Sequence, residues 1–194
     1  MLETGATALA YSRRLWSRPE LRAMRGALPK SAGAYAWFVS PESLPPSTPT
    51  RHCLNREGFI LVYAGETGPT SDGLRRRVRA HHSRDAGHSN FRLALGTVLQ
   101  EILDLRLSFE SSSDFQNGGE DRLNSWIDLN ARVAWFETRD KDAAVSVQDE
   151  VIRLHHPILN IRERNHPFAS QLSDLVRGQM ATLACPRSRV RWSL

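Results

Sequence analysis

The chain has 194 residues, 40% of them hydrophobic, which suits one domain with a single core and added elements. Lys+Arg outnumber Asp+Glu by 26 to 21 for a formal net charge of +5, mostly through arginine, and a basic balance of that kind fits a phosphate-rich partner. Cys53 and Cys185 form no CxxC pair, no apolar run approaches the ~18 residues of a membrane span, and the opening MLETGATALAYSRRLW lacks a secretory core; a zinc ribbon, a disulfide scaffold and a membrane partner are thereby excluded, and a cytoplasmic, reducing location is expected.

Residues 6–27 read as helical with a break at Pro19, closed by Leu28-Pro29. Residues 31–39, rich in aromatic and small apolar side chains, read as a strand. Residues 41–57 carry four prolines and read as a loop. The dense apolar run Phe59–Tyr63 reads as a buried strand, and 65–73 as turns. Leu74 to His82 reads as a helix with Leu74, Val78 and His81 on one side.

Residues 89–104 read as a clearer helix, with Ser89 as N-cap and Phe91, Leu95, Val98, Leu99 and Ile102 in one stripe. Part of 105–118 suits a short hairpin. Glu120–Leu129 reads as a helix and Arg132–Thr138 as a third strand. Asp142–Leu154 reads as a helix with Val147, Val151 and Leu154 inward, ended by Pro157. A last helix is expected over 168–181, followed by a basic tail. The fold class this order predicts is α/β in the α+β sense: a small, mainly antiparallel three-stranded sheet flanked by helices.

Four features carry chemistry-bearing residues in order: Gly33-Ala34-Tyr35 in the first strand, Tyr63-Ala64-Gly65 ending the second, Arg77 and His81 four apart on a helix, and Gln148 on a helix that runs on to Pro157 and Asn160. Singly, each has a plain structural reading. A strand tyrosine is most often packing, an arginine run is usually a solvated face, and a lone histidine is most often a satisfied core group. Leu74, Arg77, Val78 and His81 nevertheless share one helix side, whereas Arg75, Arg76 and Arg79 point outward.

In combination the segments GAY, YAG, LRRRVRAH, HSNFRLALG and QDEVIRLHHPILN resemble the GIY-YIG nuclease family over roughly 31–166. The resemblance implies a domain at 29–166, with a helical extension at 1–28 and a C-terminal helix and basic tail at 167–194. It implies metal-dependent hydrolysis of phosphodiester bonds in DNA. Tyr35 and Tyr63 would hydrogen-bond around the attacking water, one of them as candidate general base. Arg77 would hold the scissile phosphate, with His81 beside it. Arg75, Arg76, Arg79, His88 and Asn90 are expected to contact nucleic acid. Gly33, Gly65 and Asn160 are expected to be structural near the site.

The resemblance also places the family's metal-binding glutamate at Gln148. A glutamine has the same shape and no charge, and Mg²⁺ or Mn²⁺, the cofactor expected of an active enzyme, prefers carboxylate. The carboxylate is therefore lost, by nature or by engineering, unless the register shifts by two and Glu150 is the ligand. Asp149 and Glu150 face away from residue 148, because a helix turns about 100° per residue. The implied function is an endonuclease-type domain silenced at one position, and its rival is a nucleic-acid-binding module without catalysis.

Overall fold

The computed structural model describes residues 4–24, 26–82, 89–107, 114–160, 168, 170–175 and 177. Helices α1 (Gly5–Ala10) and α2 (Arg18–Ala23) precede strands β1 (Ala32–Val39), β2 (Asn55–Arg56) and β3 (Phe59–Thr67). Helices α3 (Gly73–His81), α4 (Asn90–Val98) and α5 (Gly119–Asn130) follow, then β4 (Ala131–Thr138) and α6 (Lys141–His155). The four strands form one sheet in the order β2-β3-β1-β4, antiparallel throughout. The expected antiparallel sheet between helices is the observed one, with β2 as a fourth, two-residue strand inside the proline loop.

β1 is central and wholly buried. Its alternation assigns the two faces of the sheet. Tyr35, Trp37 and Val39 join a core with side chains of α3, α4 and α5, including Leu74, Val78, Phe91, Leu95 and Ile127. Ala34, Ala36 and Phe38 join a second core with Ala6 and Leu9 of α1 and Val151 and Ile152 of α6. Ala36 pairs with Ala64 on one side and Ala134 on the other. That row of small side chains gives the sheet a flat strip on which α6 rests.

β3 carries a bulge. Trp37 pairs with Tyr63, but Phe38 pairs with Leu61, so Val62 is the extra residue. A bulge lets consecutive side chains share a face. Val62 and Tyr63 both enter the first core, while Leu61 and Ala64 enter the second.

The flanking segments bond to both sides of this sheet. Trp16 exchanges two backbone hydrogen bonds with Val133 of β4, at 2.9 and 2.8 Å. Leu159 N–H donates to the Val62 carbonyl at 2.8 Å. Residues 168, 170–175 and 177 are helical, and Phe168 and Leu172 pack into the first core. Among the described residues, no helix is long and apolar enough to cross a membrane.

Several expectations need correction. The N-terminal segment breaks at 11–17, not at Pro19; Pro19 lies in the first turn of α2, where a proline's missing N–H costs nothing. α4 ends at Val98, and Ile102 is 53% exposed. Leu154 is 45% exposed; the buried positions of α6 are Ala144, Val151 and Ile152. β3 runs to Thr67, so the first residues assigned to turns are strand. The expected short hairpin survives as an antiparallel bridge between Leu107 and Phe115.

Candidate active site on the central strands

Tyr35 reaches from the middle of β1 towards α3. Arg77 Nε–H donates to its hydroxyl oxygen at 3.2 Å, and His81 Nε2 lies 2.8 Å from the same oxygen. One helical turn separates Arg77 from His81, which is why both meet one phenol. His81 Nδ1 is 2.6 Å from Ser89 Oγ. Ser89 caps α4 by accepting the Arg92 N–H at 3.1 Å. A chain of contacts therefore runs from Arg77 through Tyr35 and His81 to the start of α4. The Tyr63 ring joins it, 6.4 Å from the Tyr35 ring and 6.1 Å from that of His81.

The glycines of both motifs are required by close approach. Gly65 pairs with Tyr35 across the strands, and a Cβ there would overlap the Tyr35 hydroxyl. A Cβ on Gly33 would overlap the Phe136 carbonyl and the Leu74 side chain. Asn160 fixes the same strand from the other side: its Oδ1 accepts the Ala64 N–H at 2.9 Å, and its Nδ2 donates to the Ala64 carbonyl at 2.8 Å. The middle residue of Tyr63-Ala64-Gly65 is thus clamped by one amide side chain.

Burial sets the protonation states. Tyr35 and His81 are both 0% exposed. Burial, reinforced by Tyr63, raises the Tyr35 phenol well above its ordinary pKa despite Arg77. Burial, then Arg77, His82 and Arg92, hold His81 well below 6.5 and therefore neutral. Burial opposes the charge on Arg77, but Tyr35, Tyr63 and Glu66 outweigh it and raise its pKa. The cluster is a fixed guanidinium seated on a neutral phenol and a neutral imidazole. Of these three, Arg77 is half-buried and the other two are wholly buried.

Gln148 is half-buried on α6, whose buried residues belong to the core on the opposite face from Tyr35. No side-chain hydrogen bond joins Gln148 to Tyr35, Tyr63, Arg77 or His81. Arg75 is half-buried, its Nε–H donating to the Leu28 carbonyl at 3.0 Å, while Arg76 and Arg79 are exposed. Asn90 is exposed at the first position of α4. His88 lies outside the described residues.

Three groups in this region escaped the sequence reading. Glu66 follows Gly65, pairs with Ala34, and has a buried Oε2 without a hydrogen-bond partner; its charge reaches both Tyr35 and Arg77. Ser89 is more than a cap, because it also holds His81. Arg92 is wholly buried, bonded to Glu120, to Asn124 Oδ1 at 2.9 Å and to the His81 carbonyl at 3.1 Å. A sequence signal existed for the last: Glu120 and Asn124 interrupt the buried stripe of α5 formed with Leu123 and Ile127.

A hard divalent cation takes several oxygen ligands, carboxylates above all. Among the described residues, no group of three or more His, Cys, Asp or Glu is placed to hold a metal ion. Position 148 offers a neutral amide. The described side chains therefore do not fit a divalent cation as they stand.

The GIY-YIG catalytic domain matches this chain over residues 33–178. No curated protein and no solved structure matches it. The matched stretch holds β1 from Gly33 on, β3, α3 and α6, and so every group of the cluster just described.

Proposed function

The chain belongs to the GIY-YIG catalytic domain family, and from that premise we propose that it is an endonuclease-type domain directed at DNA phosphodiesters and silenced by Gln148. The observation that carries the reading is Arg77, a half-buried cation fixed by Tyr35 at the edge of a buried cluster. A guanidinium held in that way offers two parallel N–H groups to a phosphate and costs no reorganisation when one arrives. Tyr35 and His81, being buried and neutral, act as positioning groups for Arg77. Tyr63, at 7% exposure, borders the same cluster. The net charge of +5 favours a polyanion.

Hydrolysis asks for more than phosphate binding. Water must attack phosphorus while the ester oxygen leaves, and charge builds on the phosphoryl group. A carboxylate-held Mg²⁺ or Mn²⁺ supplies a Lewis acid for that charge in such enzymes. The donor set of this chain lacks the anionic anchor, so no step is assigned through a metal here. The same observation favours a second reading, a nucleic-acid-binding module without catalysis.

Plasmid nicking in Mg²⁺ or Mn²⁺ by the chain with Gln148 and by Gln148→Glu separates the two. The expected result is cutting by Gln148→Glu and none by the chain with Gln148. Salt-sensitive DNA binding by both folded proteins with no cutting by either favours the binding module. Failure of both to bind any DNA at low salt overturns both readings.

A further inference from the structure

α3 has a second flank. Arg75 and Arg79 are one turn apart and about 200° around the helix from Arg77. They face α2 across a cleft of about 490 Å³, lined also by Arg18, Arg22 and His82. That volume is in the ordinary range of ligand pockets, ~300–1,000 Å³. α2 precedes residue 33, where the family match begins. The cleft is therefore built jointly by the family helix and by a segment outside the match.

Among the described residues, its charge is only partly compensated. Asp128 pairs with Arg18 at 2.9 Å and more loosely with Arg22 at 3.7 Å. Arg75 spends its Nε–H on the Leu28 carbonyl and keeps its terminal nitrogens. Arg79 has no hydrogen bond or ion pair with a described residue. Among the described residues, four guanidinium groups thus line a cleft in which one carboxylate is paired. Like charges brought so close repel, and an arriving anion relieves that repulsion.

A second observation points to a ligand. His82 is 8% exposed, lines the cleft, and has a buried Nε2 without a hydrogen-bond partner. A buried polar atom left unpaired costs free energy that a bound group can recover. Burial, then Arg18, Arg92 and Arg22, keep the ring neutral, with its pKa lowered to about 3. His82 thus brings to the wall of the cleft a neutral ring with one unpaired nitrogen, and no charge that opposes an anion.

We propose that the α2–α3 cleft binds a backbone phosphate of the DNA strand, next to the phosphate that Arg77 faces. α3 would then act as a ridge gripped by one strand on both flanks. The inference rests on the DNA-directed reading above for the identity of the strand, and on the cleft alone for the chemistry of the ligand.

The test uses the full chain and Arg22→Ala/Arg79→Ala, two exposed side chains outside the Tyr35 cluster. Inorganic pyrophosphate is the small probe, followed by the imidazole resonances of His82 in NMR. A labelled duplex is the large probe, followed by anisotropy across salt concentrations. The expected result is a pyrophosphate-dependent shift of the His82 resonances that the double variant loses. With it comes a plot of log K against log salt that is shallower by roughly 0.9 for each phosphate contact removed.

Unmoved His82 resonances together with an unchanged salt slope overturn the site. A pyrophosphate response with an unchanged DNA slope overturns the strand assignment and makes the ligand a free phosphate compound. Absence of cutting by Gln148→Glu, beside a lost pyrophosphate response in the double variant, leaves the cleft standing and removes only the nuclease reading.

Discussion

Gly65 and Tyr35 face each other across β3 and β1 so closely that the space of a Cβ on one is filled by the hydroxyl of the other. The two short motifs are thus two halves of one packing contact. Gly65→Ala should displace the Tyr35 hydroxyl and slacken its hold on Arg77. Overpacking of a tight core costs about 1–3 kcal/mol. Urea unfolding should show that loss, with DNA affinity falling further than for an equally destabilising substitution remote from the cluster. Unchanged stability and affinity would show that Tyr35 has room to move.

Asn160→Ala removes both hydrogen bonds to Ala64. Leaving a backbone group without its partner costs about 1–3 kcal/mol for each of the two. The expected signature is local: faster amide exchange at Ala64, measured by NMR, with the opposite end of β1 protected as before. Uniform loss of protection along the sheet would mean that Asn160 supports the whole fold.

Arg92 is a buried cation whose charge is met by Glu120. Breaking such a pair from one side costs about 3–5 kcal/mol, because it strands the remaining charge. Glu120→Ala should therefore be among the most damaging single changes, read as a lower denaturation midpoint. Arg92→Met combined with Glu120→Leu should recover most of that loss. If the double variant is worse than Glu120→Ala, the hydrogen bond to the His81 carbonyl is what matters most about Arg92.

Acid should destabilise the protein early. His82 has its pKa lowered from 6.5 to about 3, and His81 is also lowered, both chiefly by burial. A histidine depressed in the folded state is neutral there, while the unfolded chain takes up a proton below pH 6.5. Its contribution is complete above pH 6.5 and falls as pH drops towards the folded value. Each pH unit in that window costs about 1.4 kcal/mol per group. His82 alone should remove about 2 kcal/mol by pH 5. Thermal unfolding at pH 7 and pH 5 measures this, and His82→Phe should flatten the difference. A melting temperature unchanged between those pH values would refute it.

Much of this architecture could be read from the residues. The aromatic and small apolar content of β1 and the dense run in β3 identified the strands, and the four-residue spacing of Arg77 and His81 put both on one helix side. The bulge at Val62 could not be read, because Phe59–Tyr63 shows no period that marks one extra residue. β2 is two residues long and takes its pairing from β3, not from its own sequence. Ile102 and Leu154 matched an apolar stripe and proved exposed, because helix termination and tertiary contact, not periodicity, decide the end of a buried face. Glu66 gave no signal, since a carboxylate after a strand glycine reads as surface until its partners are seen. The motif spacing did not encode that α6, which carries Gln148, packs its buried residues into the core on the opposite face of the sheet from Tyr35.

The two flanking segments on the sheet have a consequence for association. Trp16 takes both backbone groups of Val133 on β4, Leu159 takes the Val62 carbonyl, and Asn160 takes both backbone groups of Ala64 on β3. An unpaired strand edge is a template on which another chain can add. Here β4 and the part of β3 beyond its pairing with β2 are each met by the protein's own backbone or amide, and β4 adds the charges of Arg132 and Glu137. Sheet extension between copies is thereby blocked at its starting points, which protects a chain with a wholly buried central strand from edge-to-edge aggregation.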